Sequence, residues 1–114
     1  MKQGEVWLIN LDPTIGSEIK KTRPAIIVND NSLGKLPLKI IVPVTDWKDR
    51  YNIAPWMIKI EAGNKNGLIK DSSADCFQVR SVSHERFVKQ IGKVSDEVMD
   101  EIKIGLSKVL SIEN

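Results

Sequence analysis

Residues 16–28 read GSEIKKTRPAIIV, and their pattern organises the rest of the chain. Three cations stand within four positions of this stretch: Lys20, Lys21 and Arg23. Pro24 separates them from an apolar run, and proline tolerates the start of a strand but not its middle because it lacks an N–H. The run predicts a buried strand over residues 25–29, with a cluster of cations where the chain enters it.

Short apolar segments bounded by turn residues recur on both sides of this strand. Alternation and composition predict further strands at residues 4–11, 38–44, 56–60, 67–71, 76–82 and 87–94. Two polar loops stand out among the connections, at residues 12–22 and 46–55, and Gly16 is a flexible point in the first. Ser83 is a candidate N-cap for a single helical turn at residues 83–86.

The C-terminal segment has the periodicity of one amphipathic helix. Ser95 is its predicted N-cap, and Asp96 and Glu97 stand in the first turn, where the helix dipole favours acids. An apolar stripe repeats at helical spacing through Val98, Met99, Ile102, Leu106, Val109 and Leu110. Many short strands and one terminal helix predict a mainly β fold, a small and strongly bent sheet or barrel with the helix on one side. The whole chain, residues 1–114, is expected to form a single domain.

The composition is that of an ordinary globular protein without covalent cross-links. Hydrophobic residues make up 41% of the chain and charged residues 28%. The single cysteine, Cys76, excludes an intrachain disulfide and fits a reducing compartment. The N-terminal MKQGEVWLIN lacks the apolar segment of a signal peptide, and no apolar run is long enough to span a membrane. We therefore expect a soluble, cytoplasmic protein.

The net charge of +2 is unevenly distributed along the chain. Residues 95–114 contain five acids and two lysines, so residues 1–94 carry a net +5. Within them, residues 19–50 hold seven cations against three anions. This distribution favours a site for a polyanion on the body of the protein. A charged surface that serves only solubility is the alternative.

Several catalytic classes lack their signature residues in this sequence. The single histidine, His84, has no second His or Cys at ligand spacing, so neither a metal site nor a metal cofactor is predicted. A P-loop, a GxGxxG segment and a GxSxG segment are all absent, which argues against nucleotide kinases and serine esterases. Cys76 has no activating neighbour in sequence and is expected to pack in the core.

Polar residues at the strand ends are the candidates for chemistry. Arg23 comes just before the second predicted strand, and Thr45 follows the third in the segment PVTD. If these strands pair antiparallel through the turn at residues 31–37, Arg23 and Thr45 become neighbours at one end of the sheet. Structural alternatives stay open, because Arg23 could form a salt bridge with Asp46, Thr45 could cap a turn, and Arg80 could pair with a carboxylate.

Cleavage of RNA without a metal ion is one chemistry that such residues can support. It needs help in deprotonating the 2′-hydroxyl, protonation of the leaving 5′-oxygen, and fixed donors for the doubly charged phosphorane. The single histidine excludes a two-histidine mechanism, whereas an arginine supplies charge and a bidentate fork to phosphate. The aromatic residues Trp47, Tyr51 and Trp56 could stack splayed bases. The interleaved cations Lys48 and Arg50 could hold the RNA backbone. Packing in the core or in a dimer interface is the alternative for the tryptophans.

Four segments of the chain match motifs of one known family, in the family's order. GEVWLINLDPTIGSEIKKTRPAIIV matches an opening G-[DE]-[VI]-W, a loop with G-S-E, and K-x-R-P before an apolar strand. PVTD matches a P-[VI]-T segment, and FQVRSV matches D-Q-[IV]-R-[TS]-[VI] in all but its first residue. FVKQIGKVSDEVMDEI looks like the family's ending, L-x-x-x-[IL]-G-x-[LV]-[ST] followed by a helical pattern, with Phe87 at the leucine position. Over nearly its whole length, the chain resembles the MazF/PemK family of bacterial toxins.

The resemblance implies a small SH3-like barrel, shared with the gyrase poison CcdB, and a homodimer. It implies a metal-independent, sequence-specific endoribonuclease that cleaves single-stranded mRNA and leaves a 2′,3′-cyclic phosphate, with an antitoxin protein as its inhibitor. The family's catalytic arginine and threonine correspond to Arg23 and Thr45 in this sequence. The residues expected to contact the RNA or support the site are Glu18, Lys20, Lys21, Trp47, Arg50, Gln78 and Arg80.

Two departures from the family's pattern bear on these roles. Phe77 stands where the family has an aspartate before Gln78, so that carboxylate is absent or displaced. Residues 46–56 lie in the region that selects the RNA sequence in this family, and they predict no particular target. Two alternative functions stay open, a CcdB-like inhibitor of gyrase that needs neither Arg23 nor Thr45, and a passive RNA-binding barrel.

Overall fold

The computed structural model describes residues 1–113 and contains seven strands followed by one helix. The strands are β1 (Glu5–Asn10), β2 (Thr22–Ile27), β3 (Leu38–Asp46), β4 (Met57–Ile60), β5 (Ser72–Asp75), β6 (Arg80–Ser83) and β7 (Phe87–Lys93), and the helix is α1 (Asp96–Leu110). Short 3₁₀ helices lie at Asn31–Leu33, Asp49–Ile53, Cys76–Gln78 and His84–Arg86. The mainly β fold with a terminal helix is confirmed. No helix among residues 1–113 is both long and apolar enough to cross a membrane.

The strands form one antiparallel sheet in the order β4-β5-β3-β2-β1-β7. Strand β3 lies at its centre, with β2 along one edge, while β6 and β5 follow one another along the other edge. Within the described part of the chain, the terminal strands β4 and β7 do not pair with each other, so the barrel-like sheet is not closed.

Apolar side chains cover both faces of the central strands. One core cluster contains Val6, Ile26, Val42, Val44, Ile60, Ala74, Met99 and Ile102, and α1 closes it. The other contains Ile9, Leu11, Ala25, Ile27, Ile41 and Val82, and Ile19 from the first loop packs against it. Neighbouring residues of β2 and β3 alternate between the two clusters, as the period of two in a strand requires.

The predicted signals at the start of α1 are confirmed. Ser95 Oγ accepts a hydrogen bond from the N–H of Val98 at 3.2 Å, and Asp96 and Glu97 occupy the first turn. The helix approaches the 3₁₀ turn Cys76–Gln78 closely at Gly105, where a Cβ would lie 3.0 Å from Cys76 Sγ. Glycine at this helical position is therefore explained by packing.

The prediction of one continuous strand over residues 76–82 is wrong. Val44 pairs with Ala74 whereas Ile41 pairs with Arg80, so three extra residues stand between the two registers. These residues form the 3₁₀ turn Cys76–Gln78, which interrupts the strand opposite Pro43, a residue without an N–H to donate. The turn carries Phe77 and Gln78 away from the sheet, so Gln78 is not a strand residue.

Two other strand boundaries differ from the prediction. Residues 67–71 are not a strand, and the strand in this region is Ser72–Asp75, whose small polar residues carry little β signal. Strand β2 begins at Thr22 and contains Pro24, which lies opposite Leu8 of β1 while β3 pairs only from the next residue onward. Proline is tolerated there because the β3 edge of β2 is unpaired at that point.

Candidate functional site

Four polar residues line up across the end of the sheet. Thr45 of β3 pairs with Ser73 of β5, which pairs with Lys59 of β4, and directly paired residues point to the same face. Strand β2 pairs with β3 only as far as the Ala25–Pro43 pair, and continuing that register by two residues would place Arg23 at the same edge and on the same face as Thr45. We call Arg23, Thr45, Ser73 and Lys59 the polar row. With strands about 4.8 Å apart, its paired part from Thr45 to Lys59 spans about 10 Å.

Arg23 is half-buried and held by the backbone of the preceding loop. Its Nε donates a hydrogen bond to the carbonyl oxygen of Lys20 at 2.9 Å. Among the described residues no carboxylate lies within 4 Å of its guanidinium, and Asp46 pairs instead with Lys70 at 3.8 Å. The alternative of an Arg23–Asp46 salt bridge is therefore not observed. The two terminal nitrogens of Arg23 are free to donate to an anion.

Thr45 is half-buried next to the end of β3. Its hydroxyl makes no hydrogen bond to another group in the part of the chain that is described, and it caps no turn there. Its strand partner Ser73 is fully buried, and Ser73 Oγ lies 3.4 Å from Met57 Sδ. A hydroxyl that is fixed by the sheet but unpaired can donate to, or accept from, a bound group.

A groove of about 550 Å³ runs between the first loop and the 3₁₀ turn at residues 76–78. Leu11, Pro43 and Val79 form its apolar floor, and Ile15, Glu18, Phe77 and Arg80 are among the residues that line its sides. Ile15 and Phe77 are largely exposed at 84% and 66%, so the rim is apolar. Pro43 stands two positions before Thr45 on the same strand face, which connects the groove to the polar row.

Three of the residues predicted to contact RNA are used to shape the first loop. Glu18 Oε1 accepts from the N–H of Ile15 at 2.6 Å. Gln78 Oε1 accepts from the N–H of Ile19 at 2.7 Å, and Arg80 donates to the carbonyl oxygen of Leu11 at 3.3 Å. Their direct contact with RNA stays a prediction, and their observed role is to fix the loop that precedes Arg23.

Lys20 and Lys21 have exposed side chains beside Arg23. The backbone of Lys21 adopts a left-handed conformation with φ of 71°. Its N–H donates to Asp12 Oδ1 at 3.1 Å, and its carbonyl accepts from the N–H of Leu11 at 3.0 Å, so the two ends of the loop are joined. The backbone that carries the two lysines is thus fixed next to Arg23, and their contact with RNA stays a prediction.

Trp47 and Arg50 belong to an aromatic cluster that flanks the polar row. The Trp47 and Tyr51 rings meet edge to face with centroids 5.8 Å apart, and Arg50 lies 5.5 Å from the Tyr51 centroid. Lys59 Nζ lies 5.3 Å from the Trp47 centroid, which is cation–π geometry. The cluster places cations and aromatic faces side by side.

A second aromatic pair stands at the mouth of the groove. Trp56 and Phe77 meet at a centroid distance of 5.9 Å, and both are exposed. Phe77 occupies the position that departs from the family's motif, and it forms an aromatic surface there.

Sequence reasoning missed Ser73, Lys59 and Asp75 as site residues. The alternation of WMIKI marks Lys59 as a polar strand position, but only the register of β3, β5 and β4 reveals its neighbours. Asp75 is 5% exposed. Burial raises the pKa of its carboxyl, while hydrogen bonds from Phe77 N–H and the Gln78 side chain act in the opposite direction.

The other candidates for chemistry lie apart from this arrangement. Cys76 is fully buried in the core, as predicted, and burial raises the pKa of its thiol to about 12. His84 is exposed in the 3₁₀ turn that Ser83 caps. Among residues 1–113, no three or more His, Cys, Asp and Glu side chains gather as metal ligands would.

Known proteins similar to this chain fall into one group. A family model described as PemK-like, MazF-like toxin of type II toxin–antitoxin system matches residues 2–110. Endoribonuclease MazF9 of Mycobacterium tuberculosis is 35% identical over 101 residues, with 83% of each chain covered. Endoribonuclease PemK of Escherichia coli is 30% identical over 113 residues, which cover 97% of this chain and 83% of the relative.

Solved structures share the fold at lower identity. MazF from Deinococcus radiodurans superposes with a TM-score of 0.83 at 21% identity, covering 98% of this chain and 97% of that chain. A mycobacterial endoribonuclease in complex with its cognate antitoxin superposes with a TM-score of 0.78 at 15% identity, covering 100% and 98%. The sequence matches and the shared fold agree, and the chain belongs to the PemK-like, MazF-like toxin family of type II toxin–antitoxin systems.

Proposed function

We propose that this chain is a sequence-specific, metal-independent endoribonuclease toxin that cleaves single-stranded mRNA. The polar row carries the proposal, because β2 offers an arginine whose terminal nitrogens are unpaired and the neighbouring strand β3 offers an unpaired threonine hydroxyl at the same end of the sheet. The naming of the curated relatives as endoribonucleases supports it. Arg23 and Thr45 are the catalytic residues in this proposal.

The chemistry is an intramolecular transfer at phosphorus. The 2′-hydroxyl loses its proton to solvent as its oxygen forms a bond to phosphorus, the bond from phosphorus to the 5′-oxygen breaks, and the leaving oxygen takes up a proton from solvent, so the protons balance. The products are a 2′,3′-cyclic phosphate and a 5′-hydroxyl. The terminal nitrogens of Arg23 donate to the non-bridging oxygens as their charge grows in the phosphorane, and Thr45 orients the phosphate or the 2′-hydroxyl.

Single-stranded RNA is the substrate that fits the surroundings of this pair. Lys20, Lys21 and Lys59 can hold neighbouring phosphates. Trp47 and the exposed pair formed by Trp56 and Phe77 offer faces to bases, which are accessible only when they are splayed out. Specificity for a base sequence is assigned to the segment that carries the aromatic cluster, residues 46–56.

Two protein partners belong to the proposal. One is a second copy of the chain, forming a homodimer. The other is a cognate antitoxin, because related toxins of the same fold are found in complex with antitoxins. An acidic, disordered segment with apolar side chains would suit the positively charged body and the apolar rim at Ile15 and Phe77. The cytoplasm is the compartment where a single-domain toxin of this kind would meet mRNA.

The test is cleavage of a long single-stranded RNA in excess EDTA, with fragment ends mapped. We expect discrete cuts at one recurring sequence with cyclic-phosphate ends. Arg23→Ala and Thr45→Val should lose at least about a hundred-fold in rate, which is typical for removal of a group that stabilises transition-state charge. Both variants should keep the melting temperature of the parent.

Several results would contradict the proposal. Cleavage that requires a divalent cation would refute metal independence. Unchanged cleavage in Arg23→Ala would refute the assigned site. RNA that is bound but left intact, across many sequences, would support the passive RNA-binding alternative instead.

A further inference from the structure

The carboxylate of Asp75 is largely buried next to the 3₁₀ turn that forms one side of the groove, and it contacts Gln78. Asp75 Oδ1 accepts a hydrogen bond from the N–H of Phe77 at 3.0 Å, and its Oδ2 accepts from Gln78 Nε2 at 3.2 Å. Only 5% of this residue is exposed. Asp75 therefore caps the 3₁₀ turn with one oxygen and contacts the Gln78 side chain with the other. Gln78 in turn reaches the first loop.

Gln78 is fully used as a connector between Asp75 and the loop backbone. Its Oε1 accepts from the N–H of Ile19 at 2.7 Å, and its Nε2 also approaches the carbonyl oxygen of Ser17 at 3.5 Å. Lys20, which follows Ile19 in the chain, supplies the carbonyl oxygen that accepts a hydrogen bond from Arg23 Nε at 2.9 Å. A continuous chain of contacts thus runs from the buried carboxylate to the guanidinium of the polar row.

The polarity of these hydrogen bonds is fixed by the groups involved. Asp75 presents a different acceptor oxygen to each of two donors, which an amide in its place could not do because one of its two terminal atoms is a donor. Gln78 must accept on the side of Ile19 and donate on the side of Asp75, so its amide orientation is determined. A side chain of the same shape but opposite polarity at either position would leave donors facing donors or acceptors facing acceptors.

We propose that Asp75 and Gln78 are a positioning pair that fixes loop residues 17–20 and thereby orients Arg23 toward the scissile phosphate. Neither residue needs to touch the reacting atoms. The proposal rests on the endoribonuclease function above and adds residues that act on its rate through Arg23. Misplacing a catalytic group by about 1 Å can cost about a hundred-fold in rate, so loss of a positioning pair can slow cleavage strongly.

The test uses three isosteric variants of the full chain. Asp75→Asn turns an amide donor toward Gln78 Nε2, and Gln78→Glu turns a second carboxylate toward Asp75. The double variant Asp75→Asn/Gln78→Glu exchanges the two groups: the new amide donates to the new carboxylate, which still accepts from Ile19 N–H. The net charge of the double variant equals that of the parent. Asp100→Asn, on the exposed side of α1, is the control for loss of one negative charge.

Single-turnover cleavage at saturating RNA separates positioning from binding. We expect each single variant to lose roughly ten-fold to a hundred-fold in rate, the cost of misplacing a catalytic group. Affinity for RNA carrying a 2′-deoxy group at the cut site should change little. The double variant should recover most of the rate, and Asp100→Asn should match the parent. Recovery on exchanging the two groups would not follow from a contribution of either residue to stability alone.

Two NMR signals report the contacts without relying on cleavage. The backbone amide of Ile19 and the Arg23 Nε–H should be protected from exchange in the parent and in the double variant, and lose protection in the single variants. If the parent does not cleave RNA, the proposed function fails, and these two signals alone decide the positioning pair. If the single variants do not fold, the double variant decides the positioning pair. It should fold, cleave at most of the parent's rate and keep both signals protected from exchange.

Three outcomes would overturn the proposal. The first is a single variant with the parent's rate and unchanged protection of Arg23 Nε–H. The second is loss of Ile19 protection with no effect on rate or on Arg23. The third is a double variant that is folded but no better than the single variants.

Discussion

Cys76 illustrates how burial decides the reactivity of a single residue. Its thiol is fully buried, and burial, followed by the neighbouring charge of Asp75, raises its pKa to about 12. At pH 8 only about one molecule in ten thousand then carries the reactive thiolate, compared with roughly a quarter for an ordinary exposed cysteine. We expect the folded protein to resist iodoacetamide at pH 8 and the guanidinium-unfolded chain to react quickly. Fast alkylation of the folded protein, followed by mass spectrometry, would contradict the burial of Cys76.

At the same scale, the sequence predicts some residues of the candidate site and misses others for a clear reason. Arg23 and Thr45 follow from their positions at two strand ends joined by one short turn, which is local information. Ser73 and Lys59 join them only through the pairing of β3, β5 and β4, which lie far apart in the sequence. Asp75 is a further case, because a carboxylate beside apolar residues gives no sign that it is buried. The family's motif has its aspartate at the position of Phe77. In this chain the carboxylate that contacts Gln78 is Asp75, two positions earlier.

At the scale of the element, α1 and the 3₁₀ turn Cys76–Gln78 are packed against each other at Gly105. A Cβ at this position would meet Cys76 Sγ at 3.0 Å and Ile58 Cδ1 at 3.3 Å. Alanine stabilises a helix interior by about 1 kcal/mol relative to glycine. We expect Gly105→Ala to give no such gain in the parent, because the contact with sulfur offsets it.

A double-mutant cycle measures that offset directly. In a Cys76→Ala background the sulfur is absent, so Gly105→Ala should raise the free energy of unfolding by about 1 kcal/mol. Urea unfolding of the four proteins gives the coupling. Equal effects of Gly105→Ala in both backgrounds would show that the helix does not contact the turn as described.

Elements were predictable where periodicity was strong and local. The helix, its cap and strands β1, β3, β4 and β7 follow from alternation and turn residues, with boundaries shifted by one or two residues. The interruption at residues 76–78 was not predictable, because CFQVRSV alternates well and the break depends on Pro43 of a distant strand. The same break creates one wall of the groove, so the error in the fold prediction fell on an element of the candidate site.

For the whole molecule, the uneven charge predicts a salt-dependent interaction with RNA. Each lysine that neutralises a phosphate releases counterions from the RNA. For a single strand, each such contact contributes about −0.7 to the slope of the logarithm of the binding constant against the logarithm of the salt concentration. We expect Lys20→Ala and Lys21→Ala each to weaken binding and to flatten the slope by about that amount. Lys108→Ala, in the last turn of α1, is the matched control and should leave the slope unchanged. Fluorescence anisotropy with an uncleavable RNA over a range of salt concentrations gives these slopes, and equal slopes for all variants would contradict an RNA surface at the first loop.

Cleavage by the 2′-hydroxyl with Arg23 at the phosphate is most directly tested on a single oligonucleotide. An RNA carrying the preferred sequence is compared with the same RNA bearing one 2′-deoxy residue at the cut position, both in EDTA, and the fragments are weighed by mass spectrometry. We predict that only the all-ribose strand is cut and that its 5′ fragment is lighter by one water than a phosphate monoester, with the cut absent in Arg23→Ala. Cleavage of the 2′-deoxy strand, or fragments ending in a 3′-hydroxyl and a 5′-phosphate, would contradict this mechanism.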